Sequence, residues 1–244
     1  MDVLRSVLQK FKSIVRSSLR RITFSHADRQ QALHMAWGHI FNNKLRGDYW
    51  EFGVYRGDSM ELSARELEKF KAWNMSQLKS SEEWRVNLAK QYSNYSPKFI
   101  GFDTFEGMPE NNEGNHNFQK LSFVSNLETV KKRLIKSTQQ SNLILIKGDF
   151  TLLAGENISK QSNLISVVNI DCDLYESSLA ALRLCRPFLQ IGSVILFDEF
   201  HGFNADPTKG ERKALADFLS ETSIKVDRWF DYHYGGRSFL VTSI

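Results

Sequence analysis

Four stretches of this chain are nearly unbroken apolar runs, and an acid follows each one. They are Lys98-Phe-Ile-Gly-Phe-Asp103, Asn142-Leu-Ile-Leu-Ile-Lys147 with Gly148-Asp149 beyond it, Leu164-Ile-Ser-Val-Val-Asn-Ile-Asp171, and Ser193-Val-Ile-Leu-Phe-Asp198. Runs of this length without alternation are what strands buried on both faces of a parallel sheet require. A fifth candidate, Asp48-Tyr-Trp-Glu-Phe-Gly-Val54, comes before them and is short and aromatic-rich. Helical patterns lie near 28–43, 60–70, 126–137, 178–189 and 210–221, and strand and helix in alternation predict a doubly wound α/β sheet. At the end, Val226–Asp231 and Ser238–Val241 flank Tyr234-Gly-Gly-Arg237, which predicts a hairpin and one antiparallel strand at or near the sheet edge. The expectation is a single, mostly parallel seven-stranded sheet in one domain over 47–244, preceded by a helical extension over 1–46. The polar stretch 71–96, with spaced Trp73, Leu78, Trp84 and Tyr92, reads as an inserted helical segment.

Composition excludes several classes. The 244 residues are 41% hydrophobic and 25% charged, with 14 Gly and 4 Pro, so collagen-like and wholly disordered chains are excluded. No apolar run reaches the ~20 residues of a bilayer span. Two cysteines, Cys172 and Cys185, are too few for a disulfide scaffold, and a reduced, cytoplasmic setting is the simpler expectation. A net charge of +4 is too small and too scattered to indicate nucleic acid. The excess is concentrated in residues 2–22, where Arg5, Lys10, Lys12, Arg16, Arg20 and Arg21 interrupt an apolar stripe at helical spacing. Such a helix packs on its own domain or on a second subunit, or lies on an anionic membrane surface. Ser25 is a candidate N-cap for the helix that follows.

The acids matter because of where they fall. In an open α/β sheet, ligands sit beyond the carboxyl ends of the strands. The five expected ends carry Glu51, Asp103, Asp149, Asp171 with Asp173, and Asp198 with Glu199. Glu51-Phe-Gly-Val-Tyr-Arg-Gly57 is a loose glycine loop, neither a dinucleotide fingerprint nor a P-loop. Glycine lets backbone approach a ligand, and the helix N-terminus that follows can hold an anion, with Ser59 as an added donor. An acid at the end of the second strand, Asp103, is placed to accept ribose hydroxyls. Asp171 and Asp173 face the same way in extended chain. On adjacent strands Asp171 and Asp198 start ~5 Å apart. Carboxylates so close repel unless protons or a cation intervene, and an all-oxygen set favours Mg²⁺ or another hard divalent ion.

These segments resemble the macrocin-type O-methyltransferases. The resemblance rests on Glu51-Phe-Gly-Val-Tyr-Arg-Gly-Asp-Ser59, Gly101-Phe-Asp-Thr-Phe-Glu-Gly-Met-Pro109, Lys147-Gly-Asp-Phe150, Ile170-Asp-Cys-Asp-Leu-Tyr-Glu-Ser177 and Phe197-Asp-Glu-Phe200, in that order. It covers about residues 48–215. It implies a class I fold, S-adenosylmethionine and Mg²⁺ as cofactors, and methylation of a small-molecule hydroxyl, commonly on a sugar of a natural product or polysaccharide. Under it, Gly53, Gly57 and Ser59 hold the methionine portion of the cofactor, with Glu51 beside its amino end. Asp103 binds the ribose, Thr104 is a further cofactor contact, and Asp149 and Phe150 border the adenine. Asp171, Asp198 and Glu199 ligate the metal, although Glu199 stands where the family usually has a second Asp. Asp173 is the general base, with His201 as its rival. From the residues alone, Arg56 and Arg237 are surface residues or carboxylate partners, and Trp229, Phe230, Tyr232 and Tyr234 are core or acceptor-pocket candidates. Two other readings compete: an Asp-x-Asp glycosyltransferase, and a membrane-associated binding protein of the same fold without catalysis.

Overall fold

The computed structural model describes residues 29–114, 119–138, 142–152 and 164–244. The basic stretch expected over 2–22 and the Ser25 cap lie outside them. The elements are α1 (29–42), β1 (Asp48–Phe52), α2 (Asp58–Ser76), α3 (Glu83–Tyr92), β2 (Phe99–Asp103), α4 (Leu127–Thr138), β3 (Leu143–Lys147), β4 (Ile165–Ile170), α5 (Tyr175–Cys185), β5 (Val194–Phe197), α6 (Gly210–Ser220), β6 (Lys225–Tyr232) and β7 (Gly236–Ser243). They build one seven-stranded sheet in the order β3-β2-β1-β4-β5-β7-β6. β1 through β5 pair in parallel, and β7 runs antiparallel to both β5 and β6. The antiparallel strand is therefore one place in from the edge, and β6 turns back to point the same way as the rest.

The apolar runs form strands because both faces of the sheet are covered. Every residue of β1, β4 and β5 is buried. On one face Trp50, Phe52, Val168, Ile170 and Ile195 pack against α5 and α6 through Leu182, Cys185, Leu215 and Phe218. On the other, Tyr49, Phe99, Val167 and Leu196 meet α1, α2 and α4. Leu33, Ala36, Trp37 and Ile40 are essentially inaccessible, so α1 is part of the core, and the Trp37 indole N–H donates to Ser63 on α2 at 3.0 Å.

The 71–96 segment differs from expectation in detail. α2 continues through Ser76 without a break, and α3 is a separate ten-residue helix docked by Tyr92, whose hydroxyl donates to the Leu45 carbonyl at 2.6 Å. Nothing between Phe70 and Ser76 stops a helix, so the first part of the expected insertion is the end of α2. Trp73 and Trp84 are exposed. Both cysteines are free and buried. No helix among the described residues is long and apolar enough to cross a membrane.

Candidate active site

The site follows from register. Phe102, Phe52, Ile170 and Phe197 lie in one row across β2, β1, β4 and β5. The next residue of each strand forms the row above: Asp103, Gly53, Asp171 and Asp198. This is the carboxyl edge of the sheet. β1 and β4 are the strands between which the chain order reverses, the usual place for a ligand crevice. Gly53 sits there at φ 88°, and a Cβ on it would lie 1.8 Å from the Asp171 carbonyl oxygen. Only glycine allows the two loops to meet so closely.

A cavity of 630 Å³ opens over this row, a size that accommodates a cofactor-sized ligand. Its β1–β3 side is lined by Gly53, Tyr55, Asp103, Thr104, Asp149 and Phe150. Its β4–β5 side is lined by Asp171, Asp173, Asp198, Glu199 and Arg29. The sequence-expected residues Glu51, Gly57, Ser59 and His201 are not part of the lining.

On the first side the acids are held by nearby backbone and hydroxyl groups. The Tyr55 amide donates to Asp103 Oδ2 at 2.7 Å and the Phe105 amide donates to Oδ1 at 2.6 Å. Each oxygen keeps a lone pair for a further donor. Asp149 Oδ1 accepts from the Thr151 amide at 2.9 Å and its hydroxyl at 2.6 Å. Phe150 packs edge-on against Phe52 at 5.3 Å. Glu51 is fully buried beneath the loop, where it accepts from the Tyr49 hydroxyl and, at 2.8 Å, from Ser59 Oγ. Burial lifts its carboxyl to about 7, against those two hydrogen bonds. Glu51 and Ser59 thus tie the start of α2 to the end of β1 and shape the Gly53–Gly57 turn.

The second side is built from remote parts of the chain. The Arg29 guanidinium, on the first turn of α1, hydrogen-bonds Asp198 Oδ2 and stands 3.7 Å from Asp171 Oδ2. His233, directly after β6, accepts the Gly235 amide on Nδ1 at 2.9 Å, which leaves Nε2–H to donate to Asp198 Oδ1 at 3.0 Å. Both oxygens of Asp198 are therefore engaged. Although burial would raise Asp198, the His233 hydrogen bond and the Arg29 charge hold it below the usual carboxylate range. Asp171 goes the other way. Burial and then the Asp198 charge push it well above that range, with the Arg29 charge acting against the shift. Asp173 is buried with φ 60°. Burial, then the charges of Glu199 and Asp198, lift it to about 8. Close to it Glu211 is fully buried; its Oε2 accepts the Glu199 amide at 3.0 Å and its Oε1 has no hydrogen-bond partner among the described residues. Burial and the neighbouring acids raise it well above normal.

The expected divalent cation does not fit this arrangement. Among the described residues no group of three or more His, Cys, Asp or Glu is disposed to hold a metal ion. Asp171 and Asp198 do come together as the strand order requires, but around Arg29. His201 lies outside the cavity, with Nδ1 accepting from Arg212 at 3.0 Å and Nε2 3.7 Å from Asp231. Arg237 does meet a carboxylate, Asp231. Of the aromatic candidates, Tyr232 is core and donates to the Phe197 carbonyl at 2.8 Å, Trp229 and Phe230 on β6 are partly buried against the core of the α1 face, and Tyr234 is exposed.

Sequence reasoning missed Arg29, His233, Glu211 and Glu113. Glu113 accepts the Tyr175 amide on one oxygen and the Gly210 amide on the other, both at 2.7 Å, and so pins the cavity wall onto the first residues of α5 and α6. Arg29 did carry a signal. It stands four residues before Leu33 and seven before Ala36, at the head of the buried stripe of α1.

No family model matches the sequence, and no curated protein matches it. Solved structures do share the fold. The O-methyltransferase NovP superposes with a TM-score of 0.64 at 16% identity, over 88% of this chain and 80% of that one. Calicheamicin methyltransferase CalS11 gives 0.61 at 19% identity, over 86% and 77%. Its apo structure, described as a TDP-rhamnose 3'-O-methyltransferase, gives 0.54 at 18%, over 86% and 78%. The chain has the class I methyltransferase fold.

Proposed function

We propose that this protein is an S-adenosylmethionine-dependent O-methyltransferase acting on a hydroxyl of a small molecule, with sugars and glycosides first among the acceptors. One observation carries the reading. A single cavity joins a strand-end aspartate with free lone pairs, Asp103, to a buried acid suited to take a proton, Asp173. The residues fit the cofactor: Asp103 and Thr104 would take its ribose, Asp149 and Phe150 would border its base, and Gly53 leaves room for its methionine part. The sugar preference draws on the acid-lined second side, which offers acceptors to several hydroxyls at once, and on the TDP-rhamnose enzyme among the fold neighbours. The fit within the methyltransferases to the macrocin type rests on the sequence segments quoted above.

Bound S-adenosylmethionine would supply a methyl group already activated on a sulfonium. The chain then has two tasks, alignment and removal of a proton. An alcohol is a weak nucleophile at neutral pH, and Asp173 accepts its proton as the oxygen–carbon bond forms. A carboxylate at about 8 is a far stronger base than an ordinary Asp.

The test is calorimetric titration of S-adenosylhomocysteine, followed by a methyl-transfer screen beginning with glycosides and sugar nucleotides. Micromolar binding and transfer to a hydroxyl are expected. A folded sample that ignores S-adenosylhomocysteine but binds a sugar nucleotide would overturn the reading in favour of glycosyl transfer.

A further inference from the structure

We infer that Arg29 is the resident cation of this site. Its guanidinium holds the place at Asp171 and Asp198 where the acid set alone would call for a divalent ion, and it holds the acceptor oxygen, so the protein works without a metal. The reaction named here rests on the methyltransferase reading; the cation seat itself does not.

Three observations support this. First, the strand register forces the two carboxylates together, since Ile170 pairs with Phe197 and the next residue on each strand is an acid. Buried acids in that relation need a positive charge or a proton. Arg29 supplies the charge, bonding to Asp198 and standing 3.7 Å from Asp171. Second, the carboxylate between the other acids and α1, Asp198, is already committed on both oxygens. Asp198 gives Oδ2 to Arg29 and Oδ1 to His233, and His233 is itself fixed by the Gly235 and Gly236 amides at 2.9 and 3.3 Å. A hard ion would have to displace a charge-assisted hydrogen bond to gain either oxygen of Asp198. Third, Arg29 does not come from a mobile arm. It belongs to α1, whose Leu33, Ala36, Trp37 and Ile40 are locked in the core, so its position is set by the same packing that builds the sheet.

The side chain is placed to do more than neutralise. One-third of it is accessible, and it lines the cavity beside Asp173. A guanidinium has five N–H donors and remains charged at any working pH. The Asp198 bond leaves further donors for an acceptor oxygen. A cation against that oxygen favours the alkoxide and orients it, as a bound metal does, while the proton goes to Asp173.

The experiment measures metal binding directly. Mn²⁺ is titrated into the full-length wild type and into Arg29→Met, and free ion is followed by electron paramagnetic resonance. Met keeps the apolar stem over α1 and removes the charge. The expected result is that Arg29→Met binds Mn²⁺ at least about tenfold more tightly than wild type, because the vacated carboxylates become ligands. Wild-type methyl transfer is expected to be unchanged in EDTA. Stoichiometric Mn²⁺ binding by wild type, no tighter in Arg29→Met, would overturn the inference. So would loss of wild-type transfer in EDTA while S-adenosylhomocysteine still binds. If Arg29→Met does not fold, Arg29→Lys serves: a lysine keeps one charge without the planar fork, and intermediate Mn²⁺ affinity is expected. Failure of wild type to bind S-adenosylhomocysteine would count against the proposed function, and the Mn²⁺ comparison would still decide the cation.

Discussion

The two sides of the cavity solve the same problem in different ways. Each presents carboxylates at the carboxyl ends of parallel strands. On the β1–β3 side the partners are mostly close in sequence: Phe105 for Asp103, Thr151 for Asp149, Ser59 and Tyr49 for Glu51. On the β4–β5 side they come from far away. Arg29 is 169 residues from Asp198, and His233 is 35. The first side keeps its carboxylates apart, each braced by hydrogen bonds, as suits a cofactor held by hydrogen bonds. The second concentrates charge in a buried space, which displaces carboxyl groups both upward and downward. Turnover needs such displaced groups, whereas binding does not.

The largest expected effect is on the second side. Asp173→Asn should lower kcat by about 10²–10⁴-fold, while S-adenosylhomocysteine affinity in calorimetry stays within a few-fold of wild type. A variant that keeps full turnover would remove Asp173 from the mechanism. The pH profile sharpens the point. The base acts only when ionised, and its carboxyl sits at about 8. The rate should therefore rise with pH and level off above about 8. Glu199 supplies the largest single charge holding that value up, so Glu199→Gln should move the inflection to lower pH. An unmoved inflection would mean that another group titrates.

Next in size is stability. Asp198→Ala strips Arg29 of its bonded partner. A buried pair broken on one side loses several kcal/mol, but here Asp171 remains 3.7 Å away and ionises more readily once the Asp198 charge is gone. The net loss should be on the order of 2 kcal/mol in urea unfolding. Asp103→Asn, on the other side, should leave the fold intact, because one amide oxygen still accepts a backbone N–H. It removes one acceptor for ribose and should weaken S-adenosylhomocysteine by about tenfold. No change would exclude Asp103 from cofactor contact.

The same division explains what the sequence disclosed. The sheet was legible because β1, β2, β4 and β5 are buried on both faces, so their runs are continuous, and the strand ends followed once the runs were placed. The first five strand ends carry acids. The sixth, after Tyr232, carries His233, which reads in sequence as one more residue of an aromatic turn. Its role depends on β6 reversing to point with the parallel strands, and pairing order is a long-range property. Arg29 was hidden for a similar reason. Its place on the buried stripe of α1 is visible at helical spacing, but nothing local says that the stripe ends above Asp171 and Asp198. In sequence the acid cluster calls for a divalent ion or protons, and a charge from a helix so remote in the chain leaves no local mark there.

Asp149 gives the smallest effect and the cleanest contrast with Asp198. Both follow a parallel strand and both accept two hydrogen bonds on the cavity edge. Asp149, however, spends both on Thr151, two residues on, at an exposed turn. Its loss strands no distant charge, and water can take over both donors. Asp149→Ala should therefore lower stability by only about 0.5–1 kcal/mol, against roughly twice that or more for Asp198→Ala. The two variants are to be compared in the same urea series, with the slope of each transition checked for two-state behaviour. Equal losses would mean that Arg29 contributes nothing to holding Asp198, and the distinction between a locally braced side and a remotely braced one would fail at its central residue.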